Sequence, residues 1–211
     1  MDTRFVSRPG ATCAITGGIL LCTGTFLHPM GADPNNTVAA FAEYAADHMW
    51  IVSHLTQLAG VALIVAALLL LTQQLQEGSA AAWAGIASGG ATASLAVAVA
   101  LQAVDGVALK FMVDAWAAAP SAQKEGIFRA AFAVRQIEIG LASMLGLSLG
   151  VTAILYGVAL LVDRKYPKWV GGLAIVGACP QWLPASWSQI QGFREWRWQS
   201  ICRLVLSSLY G

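Results

Sequence analysis

Charged side chains are scarce in this chain. Asp, Glu, Lys and Arg make up 11% of its 211 residues, whereas about a quarter is usual in soluble domains. Hydrophobic residues make up 57%, and the mean hydropathy is +0.65. The net charge of +1 provides no basic surface, which excludes nucleic acid as an expected partner. The composition therefore predicts a protein whose solvent is the lipid bilayer.

Sequence motifs of hydrolases and metal centres are also missing. The chain contains no HExxH, no paired ExxH and no GxSxG, so it offers neither the zinc-protease pattern nor a nucleophile elbow. Its cysteines are too scattered for a CxxC motif, and we interpret them as small apolar fillers. They are Cys13, Cys22, Cys179 and Cys202. These absences favour a protein that is not an enzyme.

What the sequence does have is long runs without charge. A helix of about 20 apolar residues crosses the hydrocarbon core, and four runs approach or exceed that length: Ala11 to Leu27, Trp50 to Leu71, Ala80 to Val104 and Ile139 to Val162. A fifth begins at Trp169 and breaks off near Ala178, so its crossing is left in doubt. The predicted fold class is an all-α integral membrane helical bundle with four transmembrane helices plus this incomplete fifth.

The composition changes abruptly after the fifth run. Residues 1 to 178 are predicted to form the transmembrane bundle, whereas residues 179 to 211 form an atypical C-terminal tail. Pro180 and Pro184 would break a continuing helix. Half of the eight tryptophans lie in this tail, namely Trp182, Trp187, Trp196 and Trp198. We hypothesise that the tail is an aberrant terminus, such as a frameshift would produce.

The segment before the second run predicts a short helix at the membrane interface. It covers residues 37 to 47, with Asn36 or Thr37 as the N-cap. Its predicted apolar stripe consists of Val38, Phe41 and Ala45. Trp50, at the start of the second run, has the position of an aromatic anchor at headgroup depth.

Basic residues in the short loops indicate the orientation. Arg4, Arg8, Arg164, Lys165 and Lys168 would share one side, and Lys and Arg are enriched on the cytoplasmic side. We therefore expect a bacterial inner-membrane protein with a cytoplasmic N-terminus. The lipid bilayer is its expected partner, and a homo-oligomer is left open.

Polar residues recur where the predicted helices reach the opposite, outer side. Because neighbouring helices run up and down, the end of the first, the start of the second, the end of the third and the start of the fourth lie at one level. Such inward side chains on facing helices are how bundles build sites. The candidate cluster consists of His28, His54, Gln57, Gln102, Asp105, Arg135 and Glu138.

Several interpretations of this cluster are open. In the structural one, Asp105 accepts a hydrogen bond from His54, Glu138 pairs with Arg135, and the network fastens the helices together. Alternatively, the histidines and carboxylates suit a divalent transition metal such as Zn, Fe or Mn. Two histidines can also ligate a haem, and His28 with His54 would do so here, with Arg135 or Lys110 near its propionates.

A polar solute held by Arg135 and Glu138 is a further interpretation. The preferred hypothesis is a non-enzymatic membrane protein whose outer polar cluster is structural or binds a small ligand. The alternative is a haem- or metal-binding membrane redox protein that uses His28 and His54.

Two short patterns support the topology. His28 and Pro29 end the first predicted span, and Trp50 to His54 opens the second with Trp-x-x-x-His. With these patterns the chain resembles a loose group of bacterial multi-pass membrane proteins, over about residues 10 to 178. The resemblance implies the topology and carries no activity.

Overall fold

The fold is helical throughout the part of the chain that the computed structural model describes, residues 3 to 178, with side chains from residue 8. Of these residues 86% are helical and none lies in a strand. The elements are α1 (Thr3–Leu27), α2 (Thr37–Ala46), α3 (Trp50–Thr72), α4 (Gly78–Gln102), a π-helical segment (Ala103–Leu109), α5 (Lys110–Ala118), α6 (Ser121–Val162) and α7 (Lys168–Ala178). A helix satisfies every backbone hydrogen bond internally, which lipid requires.

Four helices are long and apolar enough to cross a membrane, as the sequence predicted. They are Arg8–Leu27, Trp50–Thr72, Gly78–Ala118 and Ser121–Val162. The predicted all-helical membrane bundle is thus confirmed in its fold class. The short fifth helix, α7, has 11 described residues, and the tail from 179 to 211 lies outside the described residues.

Two of these helices are much longer than a membrane crossing needs. The continuous helix Gly78–Ala118 has 41 residues and α6 has 42, which at 1.5 Å per residue is about 60 Å, roughly twice the hydrocarbon thickness. The first turns of α6 carry the ion pair of Glu125 and Arg129, whose side chains are 71% and 78% exposed. This end of α6 therefore belongs in water, beyond the lipid.

The parts that extend beyond the membrane pack into what we call the aromatic cap, formed by α2, α5 and the N-terminal half of α6. Its buried core includes Phe41, Trp116, Leu109, Val113 and Ala131. Phe41, Trp116 and Phe128 form a cluster of three rings, with the Phe41 centroid 6.1 Å from Trp116 and 5.5 Å from Phe128. The cap thus has an apolar core of its own, at the start of α3 and the end of α4.

Helix α2 confirms one local prediction and corrects another. The side-chain oxygen of Asn36 accepts a hydrogen bond from the amide of Ala39, so Asn36 is the N-cap. The predicted apolar stripe is wrong at Val38, which is 55% exposed, whereas Ala40 and Tyr44 are buried with Phe41. The face that packs on α5 is rotated relative to the one predicted, because the aromatic ring of Tyr44 is part of it.

The transmembrane helices associate through small residues. Helix α1 packs mainly along α3, α4 packs along α6, and α7 packs along α6. At the α1–α3 contact, a Cβ added to Gly17 would lie 2.8 Å from the carbonyl oxygen of Gly60, and one added to Gly60 would lie 2.7 Å from the amide nitrogen of Leu21. Close backbone approach of this kind is a main source of helix association in lipid.

Substitution at adjacent glycines tests this contact. Gly17→Ala should destabilise the protein by about 1 to 3 kcal/mol because the new methyl group meets backbone atoms of α3. Gly18→Ala is the matched control, since a Cβ at Gly18 has no neighbour within 4 Å. Thermal unfolding of the two variants in mild detergent measures the difference, and equal midpoints would contradict the close α1–α3 packing.

Candidate functional site

Three titratable side chains meet where the membrane bundle joins the aromatic cap. His28 directly follows α1, His54 lies in the first turns of α3, and Asp105 lies in the π-helical segment after α4. Helix α1 ends here because Pro29 cannot donate the next helical hydrogen bond. Each residue is therefore positioned by a different helix, as the up-and-down order predicted.

The π-helical segment is the local feature that places Asp105. Wider π turns within α-helices are rare and are frequent at functional sites. Here the carbonyl oxygen of Asp105 accepts a hydrogen bond from the indole nitrogen of Trp50 at 3.1 Å. A Cβ added to Gly106 would lie 2.9 Å from the Cβ of His54. The segment thus brings α4 and α3 together so closely that only glycine fits opposite His54.

His54 is buried and has a partner on each ring nitrogen. Its Nδ1 lies 2.7 Å from the carbonyl oxygen of Trp50, and its Nε2 lies 3.1 Å from Oδ2 of Asp105. A carbonyl can only accept, so Nδ1 carries a proton and donates it. Nε2 therefore faces the carboxylate either as a second N–H donor or as a lone pair with a cation between the two atoms. The predicted His54–Asp105 contact is confirmed.

His28 is held in the same way. Its Nδ1 lies 2.9 Å from the carbonyl oxygen of Pro29 and must donate to it. Burial, with the neighbouring His54 adding to its effect, holds the pKa of His28 below its usual value, while Asp105 opposes the shift. His28 is thus a neutral imidazole at neutral pH, and its Nε2 carries a free lone pair.

The three side chains converge on one point. One ligating atom from each of His28, His54 and Asp105 lies within 4.8 Å of the other two. Around a tetrahedral ion with bonds of about 2.0 Å, ligand atoms stand about 3.3 Å apart. The pair of His54 and Asp105 already has this spacing at 3.1 Å. Moving the ligand atom of His28 by about 1.5 Å at most would bring all three ligand atoms to this spacing. His28 lies just past the end of α1, where such a movement is possible.

Aromatic rings pack against the histidines. The ring centroid of Trp50 lies 4.8 Å from that of His28 and 4.6 Å from that of His54, and the tilted ring of Tyr44 lies 4.5 Å from Trp50 and 6.4 Å from His28. The two imidazole centroids are 5.0 Å apart. The histidines are therefore in ring contact with each other and with the indole, His54 being buried and His28 half-buried.

Two basic residues attach α2 to this aromatic layer. Arg135 donates a hydrogen bond to the hydroxyl of Tyr44 at 2.9 Å and lies over its ring. Lys110 donates to the carbonyl oxygens of Tyr44 and Ala45 and to Asp114, the last contact being an i, i+4 pair. Burial raises the pKa of Tyr44, and Arg135 partly offsets this effect. The Tyr44 hydroxyl thus stays protonated.

The structure brings together some of the predicted cluster and separates the rest. His28, His54 and Asp105 form the centre. Arg135 lies one layer away on Tyr44, and the negative charge of Glu138 is near enough to contribute to the raised pKa of Tyr44.

Two predicted residues lie in the helix interfaces. Gln57 lies against Gly24 in the α1–α3 contact, and Gln102 has a buried side-chain oxygen with no hydrogen-bond partner among the described residues.

The sequence analysis did not recognise Trp50 and Tyr44 as residues of the site, and it placed His28 wrongly in the structural interpretation. Trp50 is not a headgroup anchor, because it is 1% exposed and donates to Asp105. His28, expected in the structural interpretation to face headgroups, is instead in ring contact with both Trp50 and His54. Tyr44 was not recognised as part of the site. Two sequence signals were available for these residues. They are the i, i+4 spacing of Trp50 and His54 and the helical face shared by Tyr44 and Phe41.

Replacing one carboxylate tests the central contact. In protein treated with a chelator, Asp105→Asn should lower the free energy of unfolding by about 1 to 2 kcal/mol, because a charge-assisted hydrogen bond to buried His54 is lost. Asp114→Asn is the control, since its pair with Lys110 is half-exposed and worth about 0.5 kcal/mol. Unfolding in denaturing detergent measures both, and equal losses would contradict a special role for Asp105.

Comparison of the chain with family models, with curated proteins and with solved structures gives no match. The resemblance to bacterial multi-pass membrane proteins therefore stays a prediction.

Proposed function

We propose that this membrane-embedded protein binds a divalent transition-metal ion through Nε2 of His28, Nε2 of His54 and the carboxylate of Asp105. One observation carries the proposal: both histidines donate Nδ1–H to backbone carbonyl oxygens. That arrangement is typical of metal ligands, because it selects the tautomer and the ring orientation that present the other nitrogen to the ion.

The donor set indicates which ions fit. Two imidazoles and one carboxylate suit Zn²⁺ or Fe²⁺. Three protein ligands leave a coordination position open, through which such an ion polarises a bound small molecule. The negative charge of Asp105 and the neutral state of His28 favour a cation at this point. The ion would also join α1, α3 and the π-helical segment. The same three residues would therefore bind the ion and hold these helices together.

The packing of the rings supports an ion rather than a haem. A porphyrin between two axial histidines needs a flat gap between their rings, whereas the imidazoles of His28 and His54 are in contact with a centroid distance of 5.0 Å. Trp50 fills the space beside both rings. A solute held by Arg135 has less support, because the guanidinium is engaged with Tyr44.

Metal analysis with one matched control tests the proposal. Protein purified in mild detergent should contain one equivalent of metal, and after chelation it should bind Co²⁺ with visible absorption bands. His28→Ala, His54→Ala and Asp105→Ala should weaken binding at least about 100-fold, since each removes a ligand. His48→Ala should bind like the wild type, because His48 is an exposed histidine outside the cluster.

The outcomes separate the hypotheses. His28→Ala is the most informative variant, because His28 follows the end of α1 and its loss leaves the His54–Asp105 contact intact. A chromophore with a Soret band would support the haem hypothesis instead. Absence of bound metal, together with an unfolding midpoint that Zn²⁺ does not raise, would refute the metal site and favour a purely structural cluster.

We further propose the orientation that the basic loops suggest, with the N-terminus in the cytoplasm of a bacterial cell and the metal cluster on the outer side. Labelling of intact cells with a membrane-impermeant maleimide tests it. Asn35→Cys, in the exposed loop before α2, should react above the wild-type background. Gln76→Cys, in the exposed turn after α3, should react only after lysis, and the reverse pattern would overturn the orientation.

A further inference from the structure

Polar side chains recur in the membrane interior where α6 packs against α4 and, at Tyr156, against the end of α3. On α6, Ser148, Thr152 and Tyr156 recur every four residues and so lie on one face. On α4, Ser94 and Gln102 share the facing row with the small residue Ala98. Ser94, Thr152 and Tyr156 are at most 2% exposed. We use the name hydroxyl row for these residues together with Thr72 at the end of α3. The row consists of five hydroxyl residues and one amide: Ser94, Ser148, Thr152, Tyr156, Thr72 and Gln102.

The row connects the two ends of the bundle. Gln102 lies one turn before Asp105, at the junction with the aromatic cap. Thr72 is the last residue of α3, at the opposite end, and its hydroxyl lies 2.7 Å from that of Tyr156. The turn of residues 73 to 77 follows directly, with Gln73, Gln76 and Glu77 exposed. The polar groups thus span the distance between two water-accessible levels.

The hydroxyls in the row have a choice of hydrogen-bond partners. Ser94 can donate to Ser148 at 3.0 Å or to the carbonyl oxygen of Gly90 at 2.8 Å, and Ser148 can donate to the carbonyl oxygen of Leu145. In the pair of Thr72 and Tyr156 either hydroxyl can be the donor, because both also reach the carbonyl oxygen of Leu68. Reversible donor direction is what proton transfer along a chain of hydroxyls requires.

Thr152 lies between these pairs, and its hydroxyl has an unused bonding capacity. The residue is 1% exposed, and its oxygen has no hydrogen-bond partner among the described residues. It is aimed at α4, where a Cβ added to Gly90 would lie 2.5 Å from it. A polar group left unpaired in lipid is costly. Bridging water molecules would remove that cost and link Thr152 to both pairs.

We infer that the hydroxyl row is a proton path across the membrane, completed by water molecules in its gaps. The four-residue steps on α6 separate neighbouring hydroxyls by about 6 Å along the axis, which one water can bridge. The step from Ser94 to Gln102 is about 12 Å and needs several. In each transfer a group accepts one proton from one side and releases one to the other, so charge and atoms balance. A pH difference or a membrane potential supplies the driving force.

Proton flux in reconstituted vesicles tests this path. The full chain is placed in liposomes that contain a trapped pH-sensitive dye, and a potassium diffusion potential is applied with valinomycin. Wild-type vesicles should take up protons at least about tenfold faster than protein-free ones. Thr152→Val should reduce the rate to that of protein-free vesicles, because it keeps the shape and removes the hydroxyl. Thr152→Ser should retain the flux.

The matched control is Thr92→Val, which removes a hydroxyl from the exposed face of α4 and should leave the flux unchanged. Unfolding midpoints of all variants are compared, so that loss of fold is distinguished from loss of the path. A wild-type rate equal to that of protein-free vesicles, or equal rates for folded Thr152→Val and wild type, would overturn the inference. Either result would leave the row as polar contacts between helices. Metal binding by Thr152→Val should match the wild type, so this proposal and the metal site fail independently.

Discussion

The double contact between Asp105 and α3 is the constraint on which the junction of the membrane bundle and the aromatic cap depends. Its carbonyl oxygen accepts from Trp50 and its carboxylate meets His54. The π-helical segment thus presents a backbone carbonyl to a side chain of the neighbouring helix, and such segments are frequent at functional sites. Asp105 therefore has a hydrogen-bond partner on α3 for its backbone carbonyl and another for its carboxylate. This is how a carboxylate is accommodated at the edge of the lipid.

The rest of the site follows from this contact. Gly106 allows the close approach of His54, the ring of Trp50 contacts both histidines and Tyr44, and Arg135 and Lys110 bind α2 to the aromatic layer. The same arrangement that fastens the helices also converges two imidazoles and a carboxylate. A structural network and a metal site are thus not alternatives in geometry. They differ in whether a proton or a metal ion lies between Nε2 of His54 and Asp105, and in a shift of about 1.5 Å at most that brings the three ligand atoms to tetrahedral spacing.

How far the sequence predicts the site differs from residue to residue. His54 and Asp105 were predictable, because a charge-free run makes any polar residue conspicuous and the up-and-down order aligns helix ends. Arg135 was recognised as part of the cluster, but its partner Tyr44 was not. Tyr44 lies in a short helix whose orientation depends on packing against α5, and no periodic pattern in ten residues sets that orientation. Trp50 was misinterpreted because a tryptophan at a span end is equally compatible with headgroups and with a buried layer.

The sequence by itself determined the helical class, the four long apolar helices and the level at which polar residues gather. Hydropathy and length suffice for these, since lipid leaves the backbone few alternatives. Only the tertiary structure decided that α4 continues through a π-helical segment, that Trp50 and His28 turn inward, and that the hydroxyls of α4 and α6 face each other. These features depend on contacts between residues of different helices that are distant in the sequence, such as Trp50 and Asp105, and local sequence patterns contain no information about them.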